Sequence, residues 1–374
     1  MDSICLICGF INCTYAITFY WNTPLWQGII LDSLPKVSII IVNYNGRIFL
    51  DRCLSSMKEL KYPPNLFEIL LIDNSSNDGS TEFVKTNFPR VKIVSLDKNY
   101  GFGGGSNRGV KYSNGEYIAF LNNDTEVTDD WLMQLVKASV NHSVPLCASK
   151  TLFMDKPYVV EYGGAKFTVN GRGYSIALGK KDWEENRCFY TGYPCAASML
   201  IKRDTFLKLG GFDEDYFACL DDTDLGWRAW LYGYSVLYCS ASIVYHVAKG
   251  TAGRGRISPL KAFHGTKDSF LNILKNLELK NLVQGLVLAI IYDFVEFLLL
   301  IKRRDTECAR NKVKAYFWVI KNVSSTIRKR LVIQRKRRVS DKWLFDNGLM
   351  ASLNEAIHEY LRLSKLNSNA SLGI

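Results

Sequence analysis

An Asn-Asn-Asp sequence stands at the end of an apolar run in the middle of this 374-residue chain. The run covers residues 117–121, and Asn122, Asn123 and Asp124 follow it directly. Carboxamide and carboxylate oxygens suit Mg²⁺ or Mn²⁺, and such a cation suits a phosphate-bearing substrate. The same residue types also form turns and cap helices, so a plain strand-to-turn exit is the alternative interpretation.

A second carboxylate, Asp73, directly follows another apolar run, residues 67–72. In nucleotide-binding α/β folds an acidic residue near a strand end hydrogen-bonds the nucleotide. We therefore interpret Asp73 as a candidate ligand of a base or a ribose. The alternative is that it belongs to the Ser-, Asn- and Asp-rich cap of a helix predicted at residues 81–87.

Three aspartates head a predicted helix that also carries large apolar side chains. Asp221, Asp222 and Asp224 come first, and Leu225 and Trp227 follow them. A carboxylate that such neighbours partly remove from water has a raised pKa and works better as a general base. The alternative is that these acids only stabilise the helix dipole.

His246 ends an extended, β-branched segment, residues 235–246, and is one of four histidines in the chain. A histidine that lies where a strand leaves its sheet can ligate a metal or donate a hydrogen bond to a phosphate. A purely structural histidine is the alternative, and the residues alone leave both interpretations open.

Residues 99–109 contain five glycines, a composition that indicates a tight turn or a close approach to a ligand. Gly101 and Gly103 match the start of the dinucleotide-binding fingerprint, but Ser106 stands where its third glycine belongs. The Gly-Lys-Ser/Thr sequence of a P-loop is also absent. Arg108 is either a phosphate ligand or a solvated helix residue.

The strands that would position these groups have the pattern of a parallel sheet. Residues 37–42 and 67–72 are almost continuously apolar, which is typical of strands covered on both faces. The first is followed by a polar turn at residues 43–46 and by a helix predicted at residues 48–60, the first half of a βαβ unit. Ligands of open α/β sheets bind at the carboxyl ends of the strands, so the polar groups should meet at one edge.

The remaining pattern extends the same architecture. The chain is 48% hydrophobic and 22% charged, which is the composition of a globular protein. Further strands are predicted at residues 91–95 and 193–201, strands with turns at 149–173, and helices at 128–136 and 206–211.

Beyond Pro259 the sequence changes character. Residues 271–301 form a long helical pattern, but Asp293 and Glu296 interrupt its apolar part. Each acid would cost a membrane-spanning helix about 2.5–3.5 kcal/mol near mid-membrane. Residues 302–338 hold 14 Lys/Arg and 2 Asp/Glu, a net charge of +12 in a chain of net charge +11. This run fits anionic lipid headgroups; nucleic acid and a solvated tail are the alternatives.

The opening segment, residues 3–21, is apolar and aromatic but has no basic n-region. Three interpretations stay open: a poor membrane anchor, an interfacial segment, or a start codon placed too far upstream. The ten cysteines have no regular spacing. We expect reduced thiols in a cytosolic compartment, not a disulfide framework or a zinc site.

Taken together, the motifs resemble glycosyltransferase family 2, the inverting enzymes of the GT-A fold. The resemblance covers about residues 37–255 and is closest to the rhamnosyltransferase-like subgroup. Five segments carry it in the right order: residues 37–46, 72–80, 99–109, 120–125 and 221–225.

This resemblance implies an α/β domain at residues 36–256 with a Rossmann-like, mostly parallel central sheet flanked by helices. An apolar segment at residues 1–35 would precede the domain. A helical, basic and possibly membrane-associated region at residues 257–374 would follow it.

The resemblance also implies how a nucleotide-sugar donor is bound. The carboxylate of Asp73 would hold a uracil or thymine base, and the turn from Asn43 to Asn45 would lie beside the nucleotide. The implied donor-binding residues are Asn43, Tyr44, Asn45, Asp73, Asn99, Gly101, Asn107, Asn122 and Asn123.

The implied metal and catalytic residues come from two further motifs. The Asp-x-Asp metal motif falls on residues 122–124, with Asn in place of its first acid, so that Asp124 must make the metal contact. His246 matches a histidine that joins the metal in some relatives. The Glu-Asp catalytic motif falls on Asp221 and Asp222, with Asp222 as the general base. The shorter side chain at 221 leaves the role of Asp221 open.

The implied reaction transfers a sugar, with inversion, from a UDP- or dTDP-linked donor to a hydroxyl of a glycan or lipid-linked acceptor. It depends on Mg²⁺ or Mn²⁺ and serves cell-surface polysaccharide synthesis. We expect peripheral or weakly anchored attachment to the cytoplasmic face of the cell membrane through anionic lipids, without a specific nucleic-acid partner. Two alternatives remain: a nucleotidyltransferase on a similar α/β core, and a non-catalytic membrane- or RNA-binding scaffold.

Overall fold

The structure, a computed structural model, describes residues 34–182, 187–247 and 258–368. The apolar segment at residues 3–21 lies outside the described residues, and so does the predicted boundary between residues 256 and 257. The strands are β1 (Val37–Asn43), β2 (Phe67–Asp73), β3 (Lys92–Ser95), β4 (Tyr117–Asn122), β5 (Thr125–Val127), β6 (Leu146–Phe153), β7 (Lys156–Tyr162), β8 (Ala165–Phe167), β9 (Gly173–Ser175), β10 (Cys188–Tyr190), β11 (Ser198–Lys202) and β12 (Val236–His246).

Helices follow six of the twelve described strands and make up most of the described residues from 258 onward. They are α1 (Arg47–Ser56), α2 (Ser80–Asn87), α3 (Gly101–Lys111), α4 (Trp131–Asn141), α5 (Arg203–Leu209), α6 (Asp221–Leu231), α7 (Pro259–Asn276), α8 (Leu279–Lys302), α9 (Thr306–Lys336), α10 (Asp341–Asp346) and α11 (Leu353–Ser368).

Ten strands form one sheet whose main order is β10-β12-β6-β11-β4-β1-β2-β3, with β5 paired to β12 and β7 to β6. The half that contains β4, β1, β2 and β3 is parallel. Strand β11 runs antiparallel to both β4 and β6. The parallel sheet predicted from the sequence is thus present, joined to a mixed half that carries β12.

The central strands are buried on both faces, as their continuous apolar runs predict. On one face Ile40, Ile72 and Phe120 belong to one hydrophobic core. On the other face Ile39 and Leu71 belong to a second core. The sheet is therefore the middle layer of the domain. The polar ends of its strands lie at one edge of the sheet.

The glycine-rich segment is a helix and not the loop that its composition suggested. Within α3, a Cβ atom on Gly109 would lie 2.8 Å from Ile40 Cγ2 and 2.9 Å from Ile72 Cγ1. A Cβ atom on Gly105 would lie 2.9 Å from Val42 Cγ1. The glycines let the helix lie directly against the sheet. The close approach that their composition predicted is therefore mostly an approach of α3 to the protein's own side chains and not to a ligand.

The C-terminal helices pack on the α/β domain through buried charges. Lys275 of α7 is 1% exposed at its side chain and lies 2.7 Å from Asp224 of α6. The long helical stretch predicted for residues 271–301 is broken at Leu277 and Glu278, where α7 ends and α8 begins. The two acids of α8 are also not on its outer face: Asp293 is 2% exposed.

Part of the basic run is structural. Lys312 of α9 lies 2.8 Å from Asp293 and 2.7 Å from Glu296. Arg330 donates to the carbonyl oxygens of Leu274 and Leu277. This segment is therefore a packed helix and not a solvated tail.

Candidate active site

Three parallel strands bring their polar ends to one edge of the sheet. The pairing register sets Asn43 of β1 opposite Asp73 of β2. It sets Val42 opposite Asn122 of β4. Residues that are 30 to 80 positions apart in the chain therefore become neighbours, as the sequence predicted from the strand ends.

A carboxamide network surrounds Asp73. The Asn43 amide donates to Asp73 Oδ1 at 3.5 Å and accepts from Asn123 Nδ2 at 2.7 Å. Asp73 Oδ2 accepts from the backbone N–H of Ser76 at 3.2 Å. Both Asn43 and Asp73 are buried. The network ties the predicted nucleotide-binding carboxylate to the Asn-Asn-Asp segment.

Asp124 and His246 meet at the same edge. His246 Nε2 lies 3.0 Å from Asp124 Oδ1 and 3.4 Å from Asn122 Nδ2. The antiparallel pairing of β12 with β5 sets His246 opposite Thr125 and causes this contact. The two residues that the resemblance implies as metal ligands are thus neighbours.

Glu161 is a site residue that the sequence analysis missed. It lies on β7, and its Oε2 is 2.7 Å from His246 Nδ1. No local signal marks it, because it is 85 positions from its partner and stands in a strand without a recognisable motif. Burial alone would lower the pKa of His246, but the Glu161 and Asp124 carboxylates outweigh burial and raise that pKa to about 10.

Asp124 Oδ1 and His246 Nε2 pair directly with each other, and their spacing also suits two ligands of one metal ion. Two ligand atoms at right angles, each about 2.1 Å from an octahedral cation, lie about 3.0 Å apart, and Asp124 Oδ1 is 3.0 Å from His246 Nε2. A carboxylate on the other ring nitrogen, here Glu161, is the usual partner of a metal-bound histidine. Among the described residues no group of three His, Cys, Asp or Glu side chains is placed to hold a metal. A cation here would therefore need further ligands from substrate or water.

Asp222 is held at the N-terminus of α6 by backbone donors. Its Oδ2 accepts from the N–H of Ala196 at 3.0 Å, and its Oδ1 accepts from the N–H of Thr223 at 2.6 Å. Burial raises the pKa of Asp222, although these hydrogen bonds oppose the rise. Burial, followed by the charge of Asp222, raises the pKa of Asp221 to about 8. Because two backbone N–H groups bond to its oxygens, the fold stabilises a negative charge on Asp222.

The acidic pair and the strand ends are joined by one short segment. The N–H of Ala196 binds Asp222, and the carbonyl oxygen of Ala197 accepts from the N–H of Asn122 at 3.0 Å. The strand predicted at residues 193–201 in fact begins only at Ser198, because a turn between Cys195 and Ser198 precedes it. This segment therefore links Asp222 to the end of β4, where Asn122 and Asp124 lie.

Asp224, the third aspartate at the start of this helix, lies in the core and not beside Asp222 at the strand ends. It is 0% exposed, and its Oδ2 lies 2.7 Å from Arg228 Nε. Its Oδ1 lies 2.7 Å from Lys275 Nζ. Because of the helical spacing of α6, the Asp224 side chain points into the core. Its ion pair with Lys275 holds α7 in place there.

Two other predicted donor-binding residues, Asn99 and Asn107, bond to this chain's own backbone. Asn99 Oδ1 accepts from the N–H of Gly101 at 2.9 Å. The amide of Asn107 is bonded at both ends to the backbone of Phe212. Tyr44 is exposed. Their predicted contacts with a nucleotide stay predictions.

Arg108, for which a phosphate ligand and a solvated residue were both open, is partly buried. Its Nη1 lies 2.9 Å from Glu214 Oε1, and its guanidinium lies over the ring of Tyr100.

This sheet, with acidic and amide groups at the ends of its parallel strands, is a GT-A fold. A solved structure of GalNAc-T7 with UDP, GalNAc and Mn²⁺ superposes with a TM-score of 0.54 at 18% sequence identity, covering 65% of this chain and 48% of the other.

Residues 38–154 match the model of the family described as Glycosyl transferase family 2. These residues therefore carry a glycosyltransferase family 2 domain, the family that the sequence motifs resemble. It is 31% identical over 230 residues to the O-antigen biosynthesis protein RfbC of Myxococcus xanthus, covering 57% of this chain but only 17% of that protein. It is 27% identical over 267 residues to an N-acetylglucosaminyl-diphospho-decaprenol L-rhamnosyltransferase of Mycobacterium tuberculosis (strain CDC 1551 / Oshkosh), covering 64% of this chain and 84% of that protein.

Proposed function

We propose that this protein transfers a sugar from a nucleotide-diphosphate sugar to a hydroxyl group of a glycan or lipid-linked acceptor, with inversion. The observation that carries the proposal is the convergence of Asp73, of Asp124 with His246, and of Asp222 around the ends of adjacent strands. The family supports this reaction class. The GalNAc-T7 structure, which contains UDP and Mn²⁺, supports a nucleotide-linked donor.

Asp222 is the general base of the proposed reaction. Its ionised carboxylate removes the proton from the acceptor hydroxyl as the hydroxyl oxygen bonds to the anomeric carbon. The bond from that carbon to the diphosphate oxygen breaks on the opposite face. One displacement inverts the configuration, by the same logic as in inverting hydrolases. No covalent bond between protein and sugar is required.

The nucleotide end of the donor lies at the first strand ends. Asp73 accepts hydrogen bonds from the base. The Asn43 amide, which accepts from Asn123, donates to Asp73 and to the Ser76 hydroxyl and so orients the carboxylate. Asp124 and His246 would hold a divalent cation, Mg²⁺ or Mn²⁺. When bound, such a cation would neutralise charge on the diphosphate leaving group.

The outer face of the C-terminal helices supports contact with a membrane. The exposed apolar residues of α8 include Val283, Val287, Ile290, Phe294 and Leu298, and those of α9 include Val313, Phe317, Ile320, Ile327 and Leu331. By length and composition α8 alone among the described helices would suffice to cross a bilayer. Since Asp293 and Glu296 pair with Lys312 on its inner side, we place α8 along the membrane surface.

Basic residues border this apolar face. The exposed ones are Lys302, Arg303, Arg304, Arg310, Lys314, Lys321, Arg328, Arg335, Lys336 and Arg338. An apolar stripe flanked by Lys and Arg is typical of helices that lie in the interface of anionic membranes. The proposed location is the cytoplasmic face of the cell membrane, and the proposed pathway is synthesis of cell-surface polysaccharide. The two relatives named above support that pathway.

Substitution of the base tests the proposal. We expect Asp222→Asn to lower the transfer rate by about 10²–10⁴-fold, the usual contribution of general-base catalysis, while binding of the nucleotide sugar is retained. Asp204→Asn, an exposed aspartate on α5, is the matched control. Near-normal transfer by Asp222→Asn would show that the base is assigned wrongly.

A further inference from the structure

Strand β10, at one end of the ten-stranded sheet, carries a cysteine that faces a cysteine of the neighbouring strand. Strand β10 pairs antiparallel with β12, and the register sets Cys188 directly opposite Cys239. Both are free thiols. Directly opposite residues of an antiparallel pair have their side chains on the same face of the sheet, so the two sulfur atoms are neighbours.

The backbone hydrogen bonds around this pair indicate how far apart the two cysteines lie. Hydrogen-bonded and non-hydrogen-bonded positions alternate along antiparallel strands. The N–H of Ser240 donates to the carbonyl oxygen of Arg187 at 2.9 Å, so the position next to the cysteines is hydrogen-bonded. Cys188 and Cys239 therefore occupy a non-hydrogen-bonded position. Cα atoms at such a position are about 4.5 Å apart, within the range of about 4.4–6.8 Å that disulfides span.

The two thiols also interact with each other. The Cys239 thiol donates to the carbonyl oxygen of Gln134 at 3.8 Å, which leaves its sulfur free to accept from Cys188. This hydrogen bond from Cys188 lowers the pKa of Cys239; burial opposes the shift, and the N–H groups of Ser242 and Ala241 support it. The same hydrogen bond, followed by burial, raises the pKa of Cys188. Of the two sulfur atoms, the fold therefore stabilises the thiolate on Cys239, and the thiolate is the nucleophilic form of cysteine.

The two cysteines differ in their access to solvent. Cys188 is partly exposed, whereas Cys239 is 1% exposed. A dissolved reagent therefore meets the Cys188 sulfur first. Cys147 of β6 belongs to the same hydrophobic core as Cys239 and is 0% exposed, but the register sets it opposite Leu237 and not opposite a cysteine. The geometry thus combines one outer thiol with one inner thiol.

We propose that Cys188 and Cys239 are a redox-active pair, which a low-molecular-weight disulfide such as oxidised glutathione converts reversibly into a disulfide bond between β10 and β12. Three observations carry this inference: the direct opposition of the two residues, their non-hydrogen-bonded position and their different exposure. The inference goes beyond the proposed function and does not depend on sugar transfer.

The proposed reaction has two thiol–disulfide exchange steps. The Cys188 thiol loses its proton and its sulfur bonds to one sulfur of oxidised glutathione; the other sulfur leaves with the bonding electron pair and takes up the proton. The Cys239 thiolate then bonds to the Cys188 sulfur, and the second glutathione leaves as a thiolate, which takes up the proton that Cys239 lost. Two cysteine thiols are oxidised to one disulfide, and one glutathione disulfide is reduced to two thiols.

The bond would fasten a short edge strand. Strand β10 spans only Cys188–Tyr190, and its neighbour in the sheet order is β12. The segment after β10 contains Ala196, whose N–H binds Asp222, and β12 ends at His246. Oxidation would therefore join two strands that lead to residues of the candidate active site.

Mass spectrometry tests the inference. The full chain is reduced, freed of reductant and incubated with oxidised glutathione; remaining thiols are then alkylated and the protein is digested with chymotrypsin. Cleavage after Phe189 or Tyr190 separates Cys188 from Cys195, so the partner of each can be identified. We expect a peptide pair joined through Cys188 and Cys239 that dithiothreitol separates. Absence of this pair, or a bond from Cys188 to another cysteine, would overturn the inference.

Three variants test the roles of the two thiols. Cys239→Ser should stop after the first step and accumulate one glutathione on Cys188. Cys188→Ser should leave Cys239 unmodified, because Cys239 is buried. Cys147→Ser, in the same core, is the matched control and should form the bond as the unmodified protein does. Failure of this control to form the bond overturns the pair, and equal modification of the remaining cysteine in the first two variants overturns the assignment of Cys188 as the outer thiol.

Two further measurements show whether the fold directs the bond and what the bond does. Protein unfolded in urea should yield less of the Cys188–Cys239 pair than folded protein, and an equal yield would show that strand pairing is not its cause. In the folded protein, hydrogen exchange of the backbone amides at residues 188–191 should slow on oxidation, since the strand opens less often. Cys188→Ser under the same treatment should show no change. Unchanged exchange in the oxidised unmodified protein would overturn the fastening of β10.

Discussion

At the scale of single residues, the site depends on charges that sit next to one another away from water. Asp221 and Asp222 are adjacent in the chain, yet their surroundings differ. Backbone N–H groups stabilise the charge on Asp222, whereas Asp221 Oδ2 is buried and has no hydrogen-bond partner among the residues that the structure describes. These surroundings favour a negative charge on Asp222 over one on Asp221.

This asymmetry predicts a pH-dependent stability. The folded-state pKa of Asp221 is about 8, above its ordinary value of 3.8, so the folded state binds more protons than the unfolded state between these values. The contribution of Asp221 to the free energy of unfolding must therefore fall as the pH rises between these two pKa values. We expect Asp221→Asn to remove this loss, so that its melting temperature exceeds that of the unmodified protein by more at pH 8 than at pH 5.

Thermal unfolding at several pH values checks this, with Asp204→Asn as the exposed control. A difference that does not change between pH 5 and pH 8 would contradict the raised pKa of Asp221.

A second residue-scale prediction concerns Glu161. Its contact with His246 Nδ1 orients the imidazole toward Asp124. Loss of such an outer carboxylate usually costs about 10–100-fold in metal affinity. We expect Glu161→Gln to weaken Mn²⁺ binding in this range, measured by electron paramagnetic resonance in the presence of UDP.

Glu59→Gln, an exposed glutamate outside the site, is its control and should leave Mn²⁺ affinity unchanged. The same affinity in Glu161→Gln as in this control would show that the Glu161–His246 contact has no bearing on metal binding.

At the scale of elements, α3 shows how glycines act through packing. In an exposed helix, glycine is about 1 kcal/mol less favourable than alanine. In α3 the opposite should hold, because a Cβ atom at Gly109 would press on Ile40 and Ile72 at 2.8–2.9 Å. We expect Gly109→Ala to destabilise the protein by about 1–3 kcal/mol, the usual cost of overpacking, measured by urea denaturation.

Gly265→Ala in α7 is the matched control. Its Cβ atom would come no closer than 3.5 Å to Arg172 Nη1, so helix propensity should decide and stability should rise slightly. If both variants were equally stabilised, close packing of α3 on the sheet would not be the reason for its glycines.

Helix α6 shows how one element divides neighbouring acids between two tasks. Asp222 accepts from the N–H of Ala196, while Asp224 forms ion pairs with Arg228 and Lys275. Helical geometry alone requires that residues two positions apart point in different directions. The same short acidic sequence therefore supplies the proposed base and an anchor for the C-terminal helices.

At the scale of the whole molecule, helix α8 packs against the rest of the protein on one side and exposes its other side together with α9. The inner side of α8 carries Asp293, which binds Arg172 and Lys312. Its outer side is apolar and exposed. The proposed membrane contact therefore uses the outer side of α8 and leaves the ion pairs of its inner side within the protein.

Vesicle binding tests this arrangement. Phe317 and Ile320 on α9 are 69% and 68% exposed, and burial of each in a membrane would contribute about 1.5–3 kcal/mol. We expect Phe317→Asp with Ile320→Asp to reduce sedimentation with phosphatidylglycerol vesicles by more than about tenfold. Added salt should weaken binding of the unmodified protein, because the flanking charges are screened.

Leu207→Asp on α5, also exposed, should bind vesicles normally. Failure of the unmodified protein to bind anionic vesicles would contradict the membrane placement.

The parallel strands and the polar residues at their ends could be predicted from the sequence. A continuous apolar run such as residues 37–42 is a local property, and so is the change from apolar to polar residues at Asp73 or Asn122. Local pattern failed at the glycine-rich segment, because glycine is compatible both with a loop and with a closely packed helix. It also failed for Asp293, since the spacing of one helix does not show which side its partners occupy.

The amino-acid sequence by itself therefore determined the buried strands and the types of residue at their ends. Both are visible in the pattern of apolar and polar residues along the chain, which is a local property. The tertiary structure alone decided which charges meet. Glu161 and His246 are 85 positions apart and touch only because β7 and β12 both pair with β6. A buried charge is stabilised by whatever the fold brings within a few ångströms of it, and that distance is set by the packing of elements far apart in the sequence.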